Sequence, residues 1–366
     1  MKTICVVLPN LAGGGAERLH IYLANDWAAR GFSVELLTLQ NQGELVPLVG
    51  QRVKIAGLSV DRIRSAIWPL AAHLRKTKPD VTLAAMWPLT SASILAWLFS
   101  GKPGRMYVID HTPPSISHLH DGVNFCYLRS SIRLIYPLAD GVIAVSEGVK
   151  NDSRRLGGLK EDRVKVIYNP AATGVSPHRE SPVVREELWG PGFTHHILSV
   201  GTLKVQKDHE TLIKAFAMLP KELNAKLTIL GEGPLRGHLT DLIRHYGLQA
   251  RIILPGFALD PVAWYRSADL FAYASRWDGL PLVLIEALEF GVPIVSTDCP
   301  SGPAEILENG RYGKLVPVQN PAALAAAMMQ SFSEKHDRDA LIRRAHDFSL
   351  PSISDQYLAY MFPEDC

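Results

Sequence analysis

The chain has 366 residues, 47% hydrophobic and 20% charged, with a net charge of +2. This composition excludes a disordered or low-complexity chain, and the length favours two domains with cores large enough to need no staples. The four cysteines, Cys5, Cys126, Cys299 and Cys366, are far apart and form no CxxC or Cys/His spacing, which argues against a disulfide framework or structural zinc and fits a reducing compartment.

The N-terminal run TICVVL (3–8) reads as a first strand, because it is too short for a signal peptide and no cleavage site follows. A helix is expected from Ala16 to Arg30, with Leu19, Leu23 and Trp27 on one face and Gly31 as its stop, and FSVELLTL follows as a strand. The segment from Val81 to Gly101 carries no charge and is long enough to span a bilayer. Pro88 interrupts it, so a buried strand (VTLAAM), a turn at Trp87-Pro88 and a buried helix (SASILAWLFS) is the better reading. MYVID (106–110), GVIAVS (141–146) and VKVIY (164–168) complete the first series of strands.

Residues 171–194 have the Ala, Pro, Gly and Ser content of a linker. A second alternation then begins: strands HHILSV, KLTIL, RIILPG, DLFAYAS, PIVST and GKLVPV, with helices ETLIKAFAML, LRGHLTDLIRHYG, DPVAWYRSA, PLVLIEALEFG and NPAALAAAMMQSF, and a short PAEIL turn. Apolar strands alternating with helices mean parallel sheets covered on both faces. Two such series predict two doubly wound α/β domains facing across a cleft, with ligands outside the carboxyl ends of the strands. Charge divides unevenly between them: residues 1–170 carry 20 Lys/Arg against 13 Asp/Glu, and the remainder 18 against 23. Arg62, Arg64, Arg75, Lys76, Lys78, Lys102, Arg105, Arg129 and Arg133 are candidates for a basic face toward an anionic lipid or acceptor; the alternative is that they are simply solvated.

Several loops carry candidate chemistry. Gly13, Gly14 and Gly15 precede the first helix, where glycines let backbone N–H groups approach an anion. A dinucleotide fingerprint would need a glycine where Arg18 stands and an acid where Gln40 stands, so an NAD site is not expected. His111 follows MYVID, and Pro113-Pro114 after it argue for a shaped loop rather than a regular helix. Lys204 and Lys207 lie in the loop after HHILSV. In SRWDGLPLVLIEALEF, Asp278 stands in the loop before a helix that begins near Pro281, and Glu286 lies in its second turn. An acid packed on a sheet needs hydroxyl or N–H partners, whereas Glu289 reads as solvated.

Together these segments resemble the family-4 retaining glycosyltransferases, which have the two-domain GT-B fold. The resemblance covers almost the whole chain: GGGAER, VSEGVKNDSRRLG with RVKVIYNP, VGTLKVQKDHETLIKAF, LTILGEGPLRGHL, IILPGF, SRWDGLPLVLIEALEFGVPIVSTDCPSGPAEIL and FSLPSISDQYLAYMF. It implies an acceptor-side domain over 1–171, a nucleotide-sugar donor domain over 172–349 and a final helix, 350–366, packed back on the first domain. It implies that Glu286 holds the donor ribose, and that Asp278 contacts donor-sugar hydroxyls near the reacting carbon. Backbone amides from Gly279 through Leu280 and Leu282 to Val283 meet sugar and diphosphate. Lys207 neutralises the departing diphosphate, and His111 stands near the sugar's reacting face. Gly14 and Gly15 lie beside the diphosphate, and the Gly231–Gly233 turn and Pro255-Gly256-Phe257 border the base. Three departures stand out: Asp278 is one methylene shorter than the usual Glu, Pro281 replaces a common glycine, and Thr202 stands where an arginine partners the lysine, with Lys204 as a substitute charge.

The implied activity is retaining transfer of a hexose or N-acetylhexosamine from a nucleotide diphosphate sugar, UDP-sugar before GDP-mannose, to a glycan or lipid-linked acceptor of cell-surface polysaccharide or glycolipid. No cofactor, metal or nucleic-acid partner is expected, and Asp337–Asp339, a D-x-D, reads as surface charge. The expected location is cytoplasmic, at the inner face of a membrane. A sugar-nucleotide 2-epimerase and a non-catalytic nucleotide-sugar-binding subunit are the competing readings.

Overall fold

A computed structural model describes residues 1–12, 15–40, 43–120, 122–170, 185–258 and 260–365. The chain divides into two compact units, Met1–Pro170 together with Leu350–Cys366, and Ala171–Ser349.

The first unit runs β1 (Thr3–Leu8), α1 (Gly15–Ala29), β2 (Ser33–Thr38), β3 (Lys54–Gly57), α2 (Ile67–Thr77), β4 (Val81–Ala85), α3 (Leu89–Phe99), β5 (Arg105–Asp110), α4 (Pro114–His120), α5 (Phe125–Ile135), β6 (Gly141–Ala144), α6 (Glu147–Gly157) and β7 (Val164–Val166). Its seven strands lie in the order β3-β2-β1-β4-β5-β6-β7, and all pair in parallel. The uncharged 81–101 segment resolves into β4, every residue of which is buried, and α3. Among the described residues, no helix is long and apolar enough to cross a membrane. Strand order steps one way from β1 to β3 and the other way from β4 to β7. Right-handed crossovers therefore put α1 on one face and α2 to α6 on the other.

The second unit runs α7 (Arg185–Trp189), β8 (His195–Val200), α8 (His209–Ala217), β9 (Ala225–Leu230), α9 (Arg236–His245), β10 (Ile252–Gly256), α10 (Val262–Ser267), β11 (Leu270–Tyr273), α11 (Leu282–Glu289), β12 (Ile294–Thr297), α12 (Pro303–Ile306), β13 (Lys314–Val316), α13 (Pro321–Ser333) and α14 (Arg338–His346). Its six parallel strands lie in the order β10-β9-β8-β11-β12-β13. Ile197, Leu212, Phe216, Leu227, Ile229 and Met328 join the sheet and its helices in one core.

Two expectations fail here. Residues 185–194 are not linker: α7 lies there, and its Trp189 is buried and donates from Nε1 to Ser267 Oγ at 2.9 Å. Pro113-Pro114 does not exclude a helix, because α4 begins at Pro114. Proline fits a first helical turn, where its missing N–H has no partner to lose.

The last helix, α15 (Leu350–Met361), belongs to the first unit and packs on α1. Tyr357 lies 6.0 Å from Trp27 between ring centroids, Phe362 lies 5.5 Å from Phe32, and Ile353 and Met361 are buried beside them. Arg30, held by Asp26 one turn before it at 2.7 Å, pairs with Asp355 across the contact. Four buried apolar side chains at about 1.5–3 kcal/mol each rival the whole margin of a domain, about 5–15 kcal/mol. Deleting residues 350–366 is expected to abolish the cooperative thermal transition of the first unit, as read by calorimetry.

Candidate functional site

In the second sheet the strand order reverses between β8 and β11. The loops after these two strands, at their carboxyl ends, are the expected ligand position of a doubly wound sheet. They carry Lys207 and Asp278.

Hydrogen bonds lock the two loops together. Gln206 O accepts from Arg276 N at 2.8 Å and from Ser275 Oγ at 2.9 Å, and its side-chain amide donates to Trp277 O at 3.0 Å. Asp208, in a left-handed conformation at φ 47°, is buried; its Oδ1 accepts from Arg276 Nη2 at 3.1 Å, and its Oδ2 lies in ion-pair contact with Arg276 Nε at 3.0 Å. The Thr202–Lys204 segment is held from the other side by the Gly231–Gly233 turn. Gly201 N donates to Leu230 O at 2.9 Å, Leu203 N to Glu232 O at 2.9 Å, and Leu235 N to Leu203 O at 3.0 Å. The buried His209 imidazole stands beside Gly201, and burial lowers its pKa to about 4, so it is neutral.

Within this frame Lys207 Nζ forms an ion pair with Asp278 Oδ2 and donates to Tyr273 OH at 3.0 Å. The Tyr273 hydroxyl donates to the same carboxylate oxygen. Burial and then the charge of Asp278 push the Tyr273 pKa well up, so the phenol keeps its proton. Asp278 Oδ1 accepts from Gly279 N at 2.8 Å, and its backbone is fixed by Asp278 N to Pro300 O and Ser301 N to Asp278 O, each 2.9 Å. The family resemblance implies separate tasks for Lys207 and Asp278; the fold joins them in one charged cluster ahead of α11. Thr202 and Lys204 are exposed on the rim, and Lys204 makes no ion pair among the described residues. Gly279 and Leu280 are buried, Leu282 and Val283 half-buried at the start of α11. Gly256 has φ 101° and accepts from Gly231 N at 2.9 Å, and Phe257 next to it is 67% exposed.

Glu286 is half-buried on α11 and accepts from Tyr265 OH at 2.6 Å. Tyr265 is itself buried and stacked on Phe271 and Phe290. Glu289 is not solvated as its sequence context suggested. α14 covers the outer side of α11, which no sequence signal had placed there, and leaves Glu289 half-buried. Burial, then the charge of Glu286, pushes Glu289 up from 4.5 to about 8. Such a group binds a proton more tightly folded than unfolded. Stability is therefore highest below about pH 4.5 on its account and falls as pH rises toward 8. Glu289→Gln is expected to flatten this slope, gaining about 2 kcal/mol at pH 8.5 after allowance for partial exposure; thermal melts across pH test it. Asp337 caps α14 by accepting from Ala340 N at 3.0 Å, so Asp337 and Asp339 start a helix on the surface.

The first unit has its own reversal, between β1 and β4. A cavity of about 350 Å³ there is lined by Gly15, Glu17, Trp87, Asp110, His111 and His118, among others. Gly14 lies outside the described residues. Gly15 starts α1 with open space where a Cβ would stand, so backbone can be approached closely there. His111 follows β5 directly, edge-on to His20 with ring centroids 5.1 Å apart. Burial, then His20, lowers its pKa well below 6.5, so it is a neutral hydrogen-bonding group rather than a cation. Asp110 accepts from Tyr136 OH at 2.9 Å and Ser153 Oγ at 2.6 Å, and burial raises its pKa to about 6. Gln206, Asp208, Arg276, Tyr273 and Tyr265 escaped sequence reading; the Gln206–Arg276 and Asp208–Arg276 contacts span about 70 positions of chain.

Residues 13–174 match the family described as Glycosyltransferase Family 4, and residues 192–348 match Glycosyl transferases group 1. The amylovoran biosynthesis glycosyltransferase AmsD of Erwinia amylovora is 30% identical over 304 residues, covering 82% of this chain and 81% of that protein. A Campylobacter jejuni protein named as an N-acetylgalactosamine-N,N'-diacetylbacillosaminyl-diphospho-undecaprenol 4-alpha-N-acetylgalactosaminyltransferase is 29% identical over 274 residues, 74% of this chain and 72% of that one. Among solved structures, Anabaena HepE in complex with UDP superposes with a TM-score of 0.81 at 21% identity over 99% of both chains. The chain belongs to glycosyltransferase family 4, and it is a glycosyltransferase built from the two Rossmann-like domains of the GT-B fold.

Proposed function

We propose that this glycosyltransferase moves a hexose or N-acetylhexosamine from a nucleotide diphosphate sugar to a hydroxyl of a glycan or lipid-linked acceptor, with retention at the anomeric carbon. The observation that carries this reading is the Lys207–Asp278–Tyr273 cluster at the switch point of the second sheet. A UDP-sugar is the favoured donor, GDP-mannose the second; the similarity to HepE, solved with UDP, supports the donor class, and the similarity to the Campylobacter transferase acting on a diphospho-undecaprenol-linked sugar supports the acceptor class.

On binding, the donor diphosphate competes with Asp278 for Lys207 Nζ, and the ammonium faces the charge that grows on the leaving phosphate. The amides at the start of α11 add a partial positive charge at the same place. Asp278, kept in orientation by Gly279 N and Tyr273 OH, accepts from a donor-sugar hydroxyl. Glu286 takes the ribose hydroxyls beside its bond from Tyr265. The acceptor oxygen bonds to the anomeric carbon on the face the diphosphate leaves. The bond from that carbon to the phosphate oxygen breaks, and the acceptor hydroxyl proton passes to that oxygen. Neutral His111 serves as a hydrogen-bonding group to the sugar. Because a protein cation supplies the counter-charge, the reaction proceeds without a metal or cofactor, and initial rates are expected to be unchanged by EDTA. The reading places the reaction on the cytoplasmic side, where donor sugars are made.

A thermal-shift panel of UDP- and GDP-sugars, followed by NMR of the product anomer, tests the whole reading. A raised Tm with UDP-sugars and an axial product from an axial donor is expected. An inverted product, or epimerised donor in place of transfer, sinks it.

A further inference from the structure

In the first unit α3 packs against both α2 and α5 on one face of the sheet. This helical layer leaves large apolar side chains in water. Trp68 of α2 and Phe99 of α3 stack at 5.0 Å, 68% and 48% exposed. On α5, Tyr127 and Leu134 stand seven positions apart on one stripe, 62% and 70% exposed, with Phe125 and Leu138 exposed at either end. Arg129 and Arg133, four apart, stand on the other flank of the exposed side, roughly 130° round the helix from Tyr127 and Leu134; both are exposed and neither is paired with a carboxylate among the described residues. Only Leu128 and Ile132 of this helix are buried. No Asp or Glu occurs on α2, α3 or α5, while Arg62, Arg64, Lys76 and Lys78 are exposed around them.

Exposed aromatic and aliphatic side chains on a helical layer whose helices carry cations and no carboxylate match a layered partner, hydrocarbon beneath a plane of negative charge, although Asp61 and Asp80 stand exposed at its edge beside Arg62 and Lys78. A second copy of the chain is a poor match, because a self-complementary contact would set these cations against their own copies. We propose that this surface is an interfacial docking face for an anionic bilayer, with α5 as the element that lies in the headgroup plane. It narrows the broad basic face of the sequence reading. Arg105 leaves the set, because Glu364 holds it at 2.8 Å, and Arg75 is partly committed to Phe99 O at 2.6 Å. The face also adjoins the first unit's cavity, since Trp87 in its lining donates from Nε1 to Ser131 Oγ on α5 at 2.9 Å. Docked this way, α5 would set the rim of the cavity against the headgroups.

The test is co-sedimentation of the full chain with vesicles of phosphatidylglycerol and phosphatidylcholine, against vesicles of phosphatidylcholine alone. Binding to the anionic vesicles only, falling steeply with added salt, is expected. Arg129→Gln with Arg133→Gln should weaken partitioning on the order of thirtyfold at low salt. Leu134→Asp should weaken it comparably, leaving both the Tm and the Tm shift produced by UDP unchanged. Wild-type indifference to the anionic vesicles overturns the proposal, as does equal binding by these variants. A dimer in solution that Leu134→Asp dissociates also overturns it, by giving the face to a second copy. The UDP shift separates this outcome from failure of the transfer reading, since loss of that shift alone strikes the donor site and leaves the docking face standing.

Discussion

Lys207→Ala is expected to lower kcat/KM about 10²–10³-fold, the scale of removing one preorganised electrostatic group from a transition state. The same change should cost stability, because Asp278 is buried beside Tyr273 and would be left without its cation. Breaking a buried pair from one side costs about 3 kcal/mol or more. Activity loss and destabilisation must therefore be separated. Lys207→Met combined with Asp278→Asn removes both charges at nearly constant shape and should restore most of the Tm while leaving activity low. Steady-state kinetics and melts on the three proteins decide the matter. More than a tenth of wild-type turnover in the folded Lys207→Ala protein would falsify the role given to this lysine.

Gly231→Ala is expected to be the most damaging single-methyl change in the second unit. Gly231 has φ 148°, and a Cβ there would stand 2.0 Å from Gly201 O, an atom of the backbone that leads into the Lys207 loop. Neither strand end can yield without breaking the bonds that hold Leu203 to the Gly231–Gly233 turn. A loss of about 3 kcal/mol, together with loss of the UDP-induced Tm shift, is the expected result. Gly237→Ala is the control: that glycine lies inside α9 with nothing within 4 Å of its Cβ, and the change should gain about 0.5–1 kcal/mol. Equal behaviour of the two variants would remove the steric argument.

The strands were legible because nearly all are buried on both faces and read as unbroken apolar runs, as in VTLAA and KLTIL. The strand that escaped, β3, is a four-residue edge with a partly exposed KIAG sequence, too short and too mixed to signal. α14 escaped too, since its charged RDALIRRAH sequence resembles a solvated tail, and with it went the burial of Glu289. Within the candidate site, Lys207, Asp278 and Glu286 stand out in the sequence because each falls at the carboxyl end of a strand or on the helix that follows, in segments that carry the family resemblance. Their partners were not. Tyr273 looks like one more apolar strand residue, and Arg276 and Gln206 look like ordinary polar loop residues until the fold brings them together. Pattern in the sequence reports local structure and the ends of strands; it is silent on which loops meet.

The position of α15 has a consequence for the order in which the protein can form. The face of α1 that carries Trp27 is completed by Tyr357, more than 300 residues later. During synthesis the second unit, whose residues are contiguous, has everything it needs to fold first. The first unit, although made earlier, holds an uncovered tryptophan face until residues 350–361 appear. The earlier half of the chain is thus the later to mature, and nascent chains that stall before Leu350 should be the ones that chaperones and proteases capture.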